Sequence, residues 1–384
     1  MAALDVDRSL TRWMPRLVAV WRRHRRLPEG PPTLVGRELK EVAQGIRTLS
    51  AGLTRERALV GARYLDDPRL LGAYLLFYWP VSYAQARAVL GELPRRPRTV
   101  LDLGSGPGPV AFAALDAGAS EVTAADRSAP ALALARALAA EAEEPLGTRP
   151  WSGGAALPEG AFDAITLGHV LNELGRGPGA LADRAALLER AAAQLRPGGS
   201  VVVLEPALRD TSRELLHVRD LLLARGFAVR APCLWRGGCP ALVKASDWCH
   251  AERTWSPPPL LDALAREAGL RKEALKMSYL VLAPPGEAWP ELPAGRLFRI
   301  VSEPLEGKGR QRYMGCGPEG RLGLALQQKH RTVANEAFFS LRRGDVVAVE
   351  GTEQRGDGLA LVEGSSVRKV AAAGQPLPPP AREP

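Results

Sequence analysis

The chain has four cysteines in 384 residues, Cys233, Cys239, Cys249 and Cys316, and three of them fall within seventeen positions. Five, nine and sixty-six residues separate them. The surrounding sequence is rich in Pro, Gly and Trp: Pro232-Cys-Leu-Trp-Arg-Gly-Gly-Cys-Pro, then Asp247-Trp-Cys-His, and later Met314-Gly-Cys-Gly-Pro. Four thiolates could enclose one metal centre, either structural zinc or an iron–sulfur cluster. Flanking glycines leave backbone N–H groups free for cluster sulfides, and the tryptophans would exclude water. The spacing lacks the paired C-x-x-C knuckles usual for zinc, which leans toward a cluster. The plain alternative is four unrelated buried thiols.

A second chemical signal is the run Thr99-Val-Leu-Asp-Leu-Gly-Ser-Gly-Pro-Gly-Pro-Val. A β-type run (Val100, Leu101, Leu103) meets a turn containing Gly104, Ser105, Gly106 and Gly108, and an Ala-rich helical run follows from Ala111. Glycines allow backbone angles that a Cβ would block, and let a ligand approach the main chain. Eighteen residues after Gly108 a further short run ends in Asp126, placed to hydrogen-bond ribose hydroxyls. Asp102, ahead of the glycines, departs from a dinucleotide fingerprint. The segment resembles motif I of the class I S-adenosylmethionine (SAM) methyltransferases, which implies a SAM site on Asp102, Gly104, Ser105, Gly106, Gly108 and Asp126.

No catalytic residue is assigned. An adenine amino-methylating enzyme carries N/D-P-P-Y/F after its fourth strand, where this chain reads Gly168-His169-Val-Leu-Asn172-Glu173. Cytosine C5 methylation needs a thiolate nucleophile, and no cysteine lies after the fourth or fifth strand of the expected sheet. On a helix His169 and Glu173 would share a face as an acid or base pair. The plainer expectation is that they contact the methionine part of SAM or cap the pocket, and His169 and Asn172 are counted among the cofactor-binding residues.

The pattern that must position these residues is α/β. Residues 1–95 read as helical, over about 6–26, 34–52, 54–64 and 67–92, with Asp67 before Pro68 as a helix start. Residues 96–288 alternate strand and helix at a spacing that implies a parallel sheet, a class I methyltransferase (Rossmann-like) core with a cysteine-rich insertion at 231–257. Residues 289–370 change to short β runs between Gly-rich turns, a small basic β-rich domain of OB-like type. The proline-rich tail, 371–384, is expected to be disordered.

The formal net charge is +9, and between Arg296 and Arg343 ten basic residues face four acidic ones, which is +6 of that total. Lys308, Arg310, Arg312, Lys329, Arg331, Arg342 and Arg343 are the candidate phosphate contacts of an RNA-binding surface. The bland alternative is a solvated basic face. No run of about 18 apolar residues is present, so no membrane partner is expected. Seven arginines and no acid between residues 8 and 26 superficially suit a transit peptide, but Leu10, Trp13, Leu17, Val18 and Trp21 fit one apolar face of a folded helix. A cytoplasmic monomer is expected.

Together these residues resemble the ribosomal small-subunit assembly family of methyltransferase-like proteins, the Rsm-type bacterial proteins and mitochondrial methyltransferase-like seventeen. The resemblance runs from the helical N-terminal region through Leu101-Asp-Leu-Gly-Ser-Gly-Pro-Gly and the cysteine loop to Ser278-Tyr-Leu-Val-Leu and the Cys316 turn. It implies a 4Fe–4S cluster on Cys233, Cys239, Cys249 and Cys316, binding to rRNA of the small ribosomal subunit during assembly, and a SAM site. An active SAM-dependent rRNA methyltransferase is the alternative. A small-molecule methyltransferase with structural zinc is a third reading, and it leaves the basic C-terminal segment without a purpose.

Overall fold

A computed structural model describes residues 2–175 and 177–380. The helical layer comes first: α1 (Ala2–His24), α2 (Gly36–Ser50), α3 (Pro68–Ala73) and α4 (Trp79–Leu90). Asp67 caps α3, its carboxylate accepting from the N–H groups of Arg69 (2.7 Å) and Leu70 (3.3 Å). A π-helical turn, Tyr74–Tyr78, joins α3 to α4, so the expected helix over 67–92 forms with one wide turn. The helix expected over 54–64 does not. Thr54 instead bonds the Ser50 carbonyl, and a chain of turns leads to a single 3-10 turn at Tyr64–Asp66. Trp13 and Trp21 are buried as the apolar face of α1 requires. Trp13 packs edge-on to Phe112 at 4.9 Å and donates to Asp116 at 2.7 Å.

The α/β layer contains β1 (Thr99–Leu103), α5 (Pro109–Asp116), β2 (Glu121–Asp126), α6 (Ala129–Ala142), β3 (Leu146–Pro150), β4 (Phe162–Gly168), α7 (Ala180–Ala192), β5 (Leu195–Pro206), α8 (Arg209–Ala224), β6 (Ala228–Ala231), β7 (Ala251–Thr254), α9 (Pro259–Glu267) and β8 (Ala274–Ala283). The strand order is β3-β2-β1-β4-β5-β8-β6. The first five are parallel, and β8 runs antiparallel between β5 and β6. This order, with one reversed strand next to the edge, is the class I methyltransferase arrangement. The order reverses at β1, so the ligand crevice opens at the carboxyl ends of β1 and β4. β6 and β7 share one edge of β8, pairing with residues 281–283 and 274–277 respectively. The cysteine insertion therefore leaves β8's edge and returns to it.

The second sheet contains β9 (Arg296–Ile300), β10 (Leu305–Gly307), β11 (Arg310–Gly317), β12 (Gly320–Gln327), β13 (Val346–Arg355) and β14 (Gly358–Ala371). Its order is β10-β11-β12-β14-β13-β9, and β9 also pairs with β11, closing a five-stranded barrel. β12 and β14 are parallel and the other barrel pairs antiparallel. The short helix Glu336–Ser340 lies between the third and fourth barrel strands and buries Phe338 in the barrel core, 5.2 Å from Tyr313. This is the OB-like barrel expected from the Gly-spaced β runs. Part of the tail expected to be disordered is docked: Gly374 N–H donates to Glu92 at 3.2 Å and Leu377 packs beside Val346 and Ala371. Residues 381–384 of that tail lie outside the described residues.

Candidate functional site

The turn after β1 places Gly104, Gly106 and Gly108 at φ of +68°, +53° and +85°. At Gly104 glycine is obligatory for a second reason, since a Cβ would stand 2.4 Å from Val170 Cγ2. Asp126 ends β2 and bridges the turn, accepting from Gly106 N–H at 2.8 Å and from Ser128 N–H at 2.7 Å. Burial raises its pKa. Asp102 is more deeply buried. It accepts from the Thr166 hydroxyl at 2.6 Å and from Ala111 N–H at 3.1 Å, tying β1 to β4 and to the start of α5. Burial pushes its carboxyl up to about 7.

A cavity of about 350 Å³ lies over the crevice. Gly104, Gly106, Asp126, His169 and Asn172 line it, whereas Asp102, Ser105 and Gly108 stand behind its wall. His169 and Glu173 do not share a helical face. His169 adopts φ +62°, and only Leu171–Glu173 form a 3-10 turn. His169 Nε2 lies 3.0 Å from Gln85 Oε1, and burial lowers its pKa to about 4, so the ring is neutral. Glu173 accepts from Tyr64 Oη at 3.0 Å, and burial raises it to about 7. Asn172 is held by Arg57 at 3.1 Å. Much of the cavity wall comes from segments without a motif: Tyr64, Tyr74 and Tyr78 from the helical layer, Trp151 after β3, and Lys272 before β8. In the sequence, the aromatic-rich apolar stretch 70–81 marks Tyr74 and Tyr78 alone among these.

The four cysteines converge on a second cavity of about 70 Å³, and none is in a disulfide. Burial and then the neighbouring thiols raise Cys239 to about 12 and Cys249 to about 11, and Cys316 is raised for the same reasons. Among the described residues no three His, Cys, Asp or Glu side chains are grouped so as to hold a single metal ion. The thiols surround a space rather than a point. Arg219 braces the first loop through the carbonyls of Gly237 (2.9 Å) and Trp235 (2.7 Å), and Arg213 gathers those of Ala241, Lys244 and Asp247. Trp248 stacks on His250 with centroids 4.2 Å apart. Arg219, Arg253, Arg299 and Arg321 also line this cavity, and each has a buried Nε–H without an acceptor.

The seven basic candidates do not form one surface. Lys308, Arg310 and Arg312 are exposed around the start of β11 with no ion pair among the described residues. Lys329 and Arg342 are exposed on turns. Arg331 is engaged by Glu336 through two hydrogen bonds. Arg343 turns inward, 2.7 Å from His250 Nε2 and 3.3 Å from Glu303, so it belongs to the cysteine cleft. On β11 the residues Arg310, Arg312, Met314 and Cys316 alternate with the buried Tyr313, Gly315 and Gly317. They face outward together. Opposite them on β12 stand Gln327, Ala325, Gly323 and Arg321.

The strand order and the glycine turn define a methyltransferase-like protein fused to an OB-like barrel. The chain belongs to the Rsm22 family: the family described as mitochondrial small ribosomal subunit Rsm22 matches residues 70–348. No protein of curated function matches the sequence. Among solved structures, the chain is similar to a ribosomal protein L11 methylase from Lactobacillus delbrueckii subsp. bulgaricus (17% identity, 52% of this chain and 77% of that one, TM-score 0.32). It is also similar to an O-methyltransferase family protein from Burkholderia thailandensis (15% identity, 66% and 75%, TM-score 0.39). A third is TrmN from Thermus thermophilus (22% identity, 54% and 52%, TM-score 0.34). Among the described residues no helix is long and apolar enough to cross a membrane.

Proposed function

We propose that the protein is an assembly factor that binds rRNA of the small ribosomal subunit, holds SAM in the cavity over β1 and β4, and carries a 4Fe–4S cluster on Cys233, Cys239, Cys249 and Cys316. The observation that carries this reading is the register of β11, which sets Arg310, Arg312 and Cys316 on one outer face. β11 and β12 are the second and third strands of the barrel, the face with which OB folds bind oligonucleotides. Membership of the Rsm22 family, tied to the small ribosomal subunit, supplies the ribosomal partner. The compartment is the one that holds those ribosomes, the cytoplasm where they lie there.

The cluster reading rests on the shape and charge of the cleft. A zinc ion draws its sulfurs to about 2.3 Å, and these thiols line a cavity instead. Buried Nε–H groups of Arg219, Arg253, Arg299 and Arg321 without acceptors suit an anionic group with sulfur acceptors. Bound there, a cluster supplies anionic sulfur and a covalent tie. Cys316 would ligate from the barrel and the other three from the insertion, fixing the two together. The raised thiol pKa values describe the metal-free site, and a bound metal reverses them.

Methyl transfer is not needed in this reading. His169 is neutral and engaged by Gln85, and Glu173 is engaged by Tyr64, so neither stands free as a base. The alternative, an active rRNA methyltransferase, would use the same SAM cavity. Two variants separate the readings in cells lacking the native protein. Charge reversal at Arg310 and Arg312 is expected to abolish association with small-subunit particles. A variant that cannot bind SAM is expected to retain it. Methylation of rRNA by purified protein, with assembly lost in the SAM-site variant alone, would replace this reading with the enzymatic one.

A further inference from the structure

Lys272 lies between α9 and β8 and lines the same cavity as His169, Gln85 and Tyr78, near enough to His169 for its charge to lower the imidazole pKa. Its Nζ stands 5.9 Å from the centre of the Phe77 ring. The other cations around the cavity are engaged: Arg127 donates to the carbonyls of Gly61 and Ala62, Arg63 pairs with Asp66 at 2.8 Å, and Lys276 lies 3.3 Å from Glu252. Lys272 has no ion pair among the described residues, and burial alone shifts its pKa, downward. Lys272 is half-buried with an aromatic ring as its nearest charge-stabilising contact, so a ligand anion in the cavity would supply the counter-ion it lacks.

The sheet order says which part of the ligand reaches it. The ribose belongs at Asp126 on β2, and the base then lies toward β3 and Trp151. The remaining arm of the molecule must run the other way, past Gly104 and over the end of β4 at His169. Lys272, which precedes β8, stands at the far end of that path. We infer that Lys272 is the counter-ion for the α-carboxylate at the methionine end of SAM, a binding residue outside motif I. This rests on the SAM reading above.

The test compares SAM with 5′-methylthioadenosine, which keeps the nucleoside and the sulfur but lacks the amino-acid group. Calorimetry on the intact protein would measure both ligands with wild type, Lys272→Met and Lys272→Arg. The expected result is a loss of roughly ten- to a hundredfold in SAM affinity for Lys272→Met, the scale of a hydrogen bond to a charged group. Methylthioadenosine affinity should stay unchanged, and Lys272→Arg should recover part of the SAM affinity. Unchanged SAM affinity in Lys272→Met, or a parallel loss for both ligands, would overturn the assignment alone. Wild type that binds neither ligand would overturn the SAM reading and this assignment with it.

Discussion

Arg299 of β9 places Nη1 3.1 Å from Glu92 Oε2 at the end of α4, and both side chains are buried, 7% and 1% exposed. The same carboxylate accepts from Arg253 of β7 at 2.9 Å, from Tyr279 Oη of β8 at 2.7 Å and from Gly374 N–H beyond β14 at 3.2 Å. One side chain thus joins the helical layer, the edge of the α/β sheet and both ends of the barrel. Glu92→Ala would leave two buried guanidinium groups without their carboxylate. Losing one partner of such a set costs about 3–5 kcal/mol. Hydrogen exchange should show the barrel and the β7–β8 edge losing protection together, with β1 and β2 unaffected.

The glycine turn predicts a separation of effects. Gly104→Ala drives a Cβ into Val170 and should weaken both folding and SAM binding. Asp126→Asn keeps the shape but replaces a carboxylate that accepts from two N–H groups. It should cost about 1–3 kcal/mol of SAM binding. Both should lower the melting temperature of the ligand-free protein, since the amide of Asn can accept from only one of the two N–H groups, and calorimetry at a temperature where both variants are folded separates the loss of SAM binding from the loss of stability.

Stability should fall as pH rises from mildly acidic to mildly alkaline. Burial raises the carboxyls of Glu173 and Asp102 to about 7 and that of Glu205 to about 8, against 4.5, 3.8 and 4.5 in the unfolded chain. The native state therefore holds protons that the unfolded state has released. The resulting stabilisation is complete below about pH 4 and is lost as pH climbs through 7 to 8. Denaturant midpoints at pH 5, 7 and 8.5 should decline in that order. Glu205→Gln should flatten the alkaline part of the curve.

RNA binding gives a contrast within the basic segment. Arg310→Glu with Arg312→Glu should weaken RNA binding and lower the salt slope by about two contacts' worth. Arg331→Glu should do much less, because Glu336 already engages that guanidinium. Arg343→Glu should also weaken RNA binding, but only together with loss of whatever the cysteines hold, read as visible absorbance after anaerobic purification.

The parallel strands were legible because their residues are near-continuously apolar between glycine stops, as at 162–167 and 200–204. Asp126 was legible because one short helix and one short strand after Gly108 bring the chain back to the same end of the sheet. What stayed hidden depends on long-range packing. His169 and Glu173 read as a helical pair, but Val170 fits beside Gly104 only if the chain turns through a left-handed residue at His169. Glu92 and Arg299 are 207 residues apart in a chain with no spacing rule to link them. Lys272 sits in an ordinary charged stretch, Arg-Lys-Glu, and only the fold shows which of the three faces inward. Arg343 looked like its exposed neighbour Arg342, and the course of the turn before β13, which sets Arg343 beside His250 and Glu303, decided between them.

The position of Cys316 on β11 bears on the order in which the protein is made. The strand is held in the barrel by β9 and β12, and the barrel closes only when β14 pairs with β12 and β13. Three cysteines emerge during synthesis well before the fourth, which β9 and β12 hold opposite Arg299 and Arg321. A chain interrupted before residue 316 presents a three-thiol loop without its partner strand. The cleft is therefore completed late, since one of its walls comes from β9, β11 and β12, all made after the α/β layer.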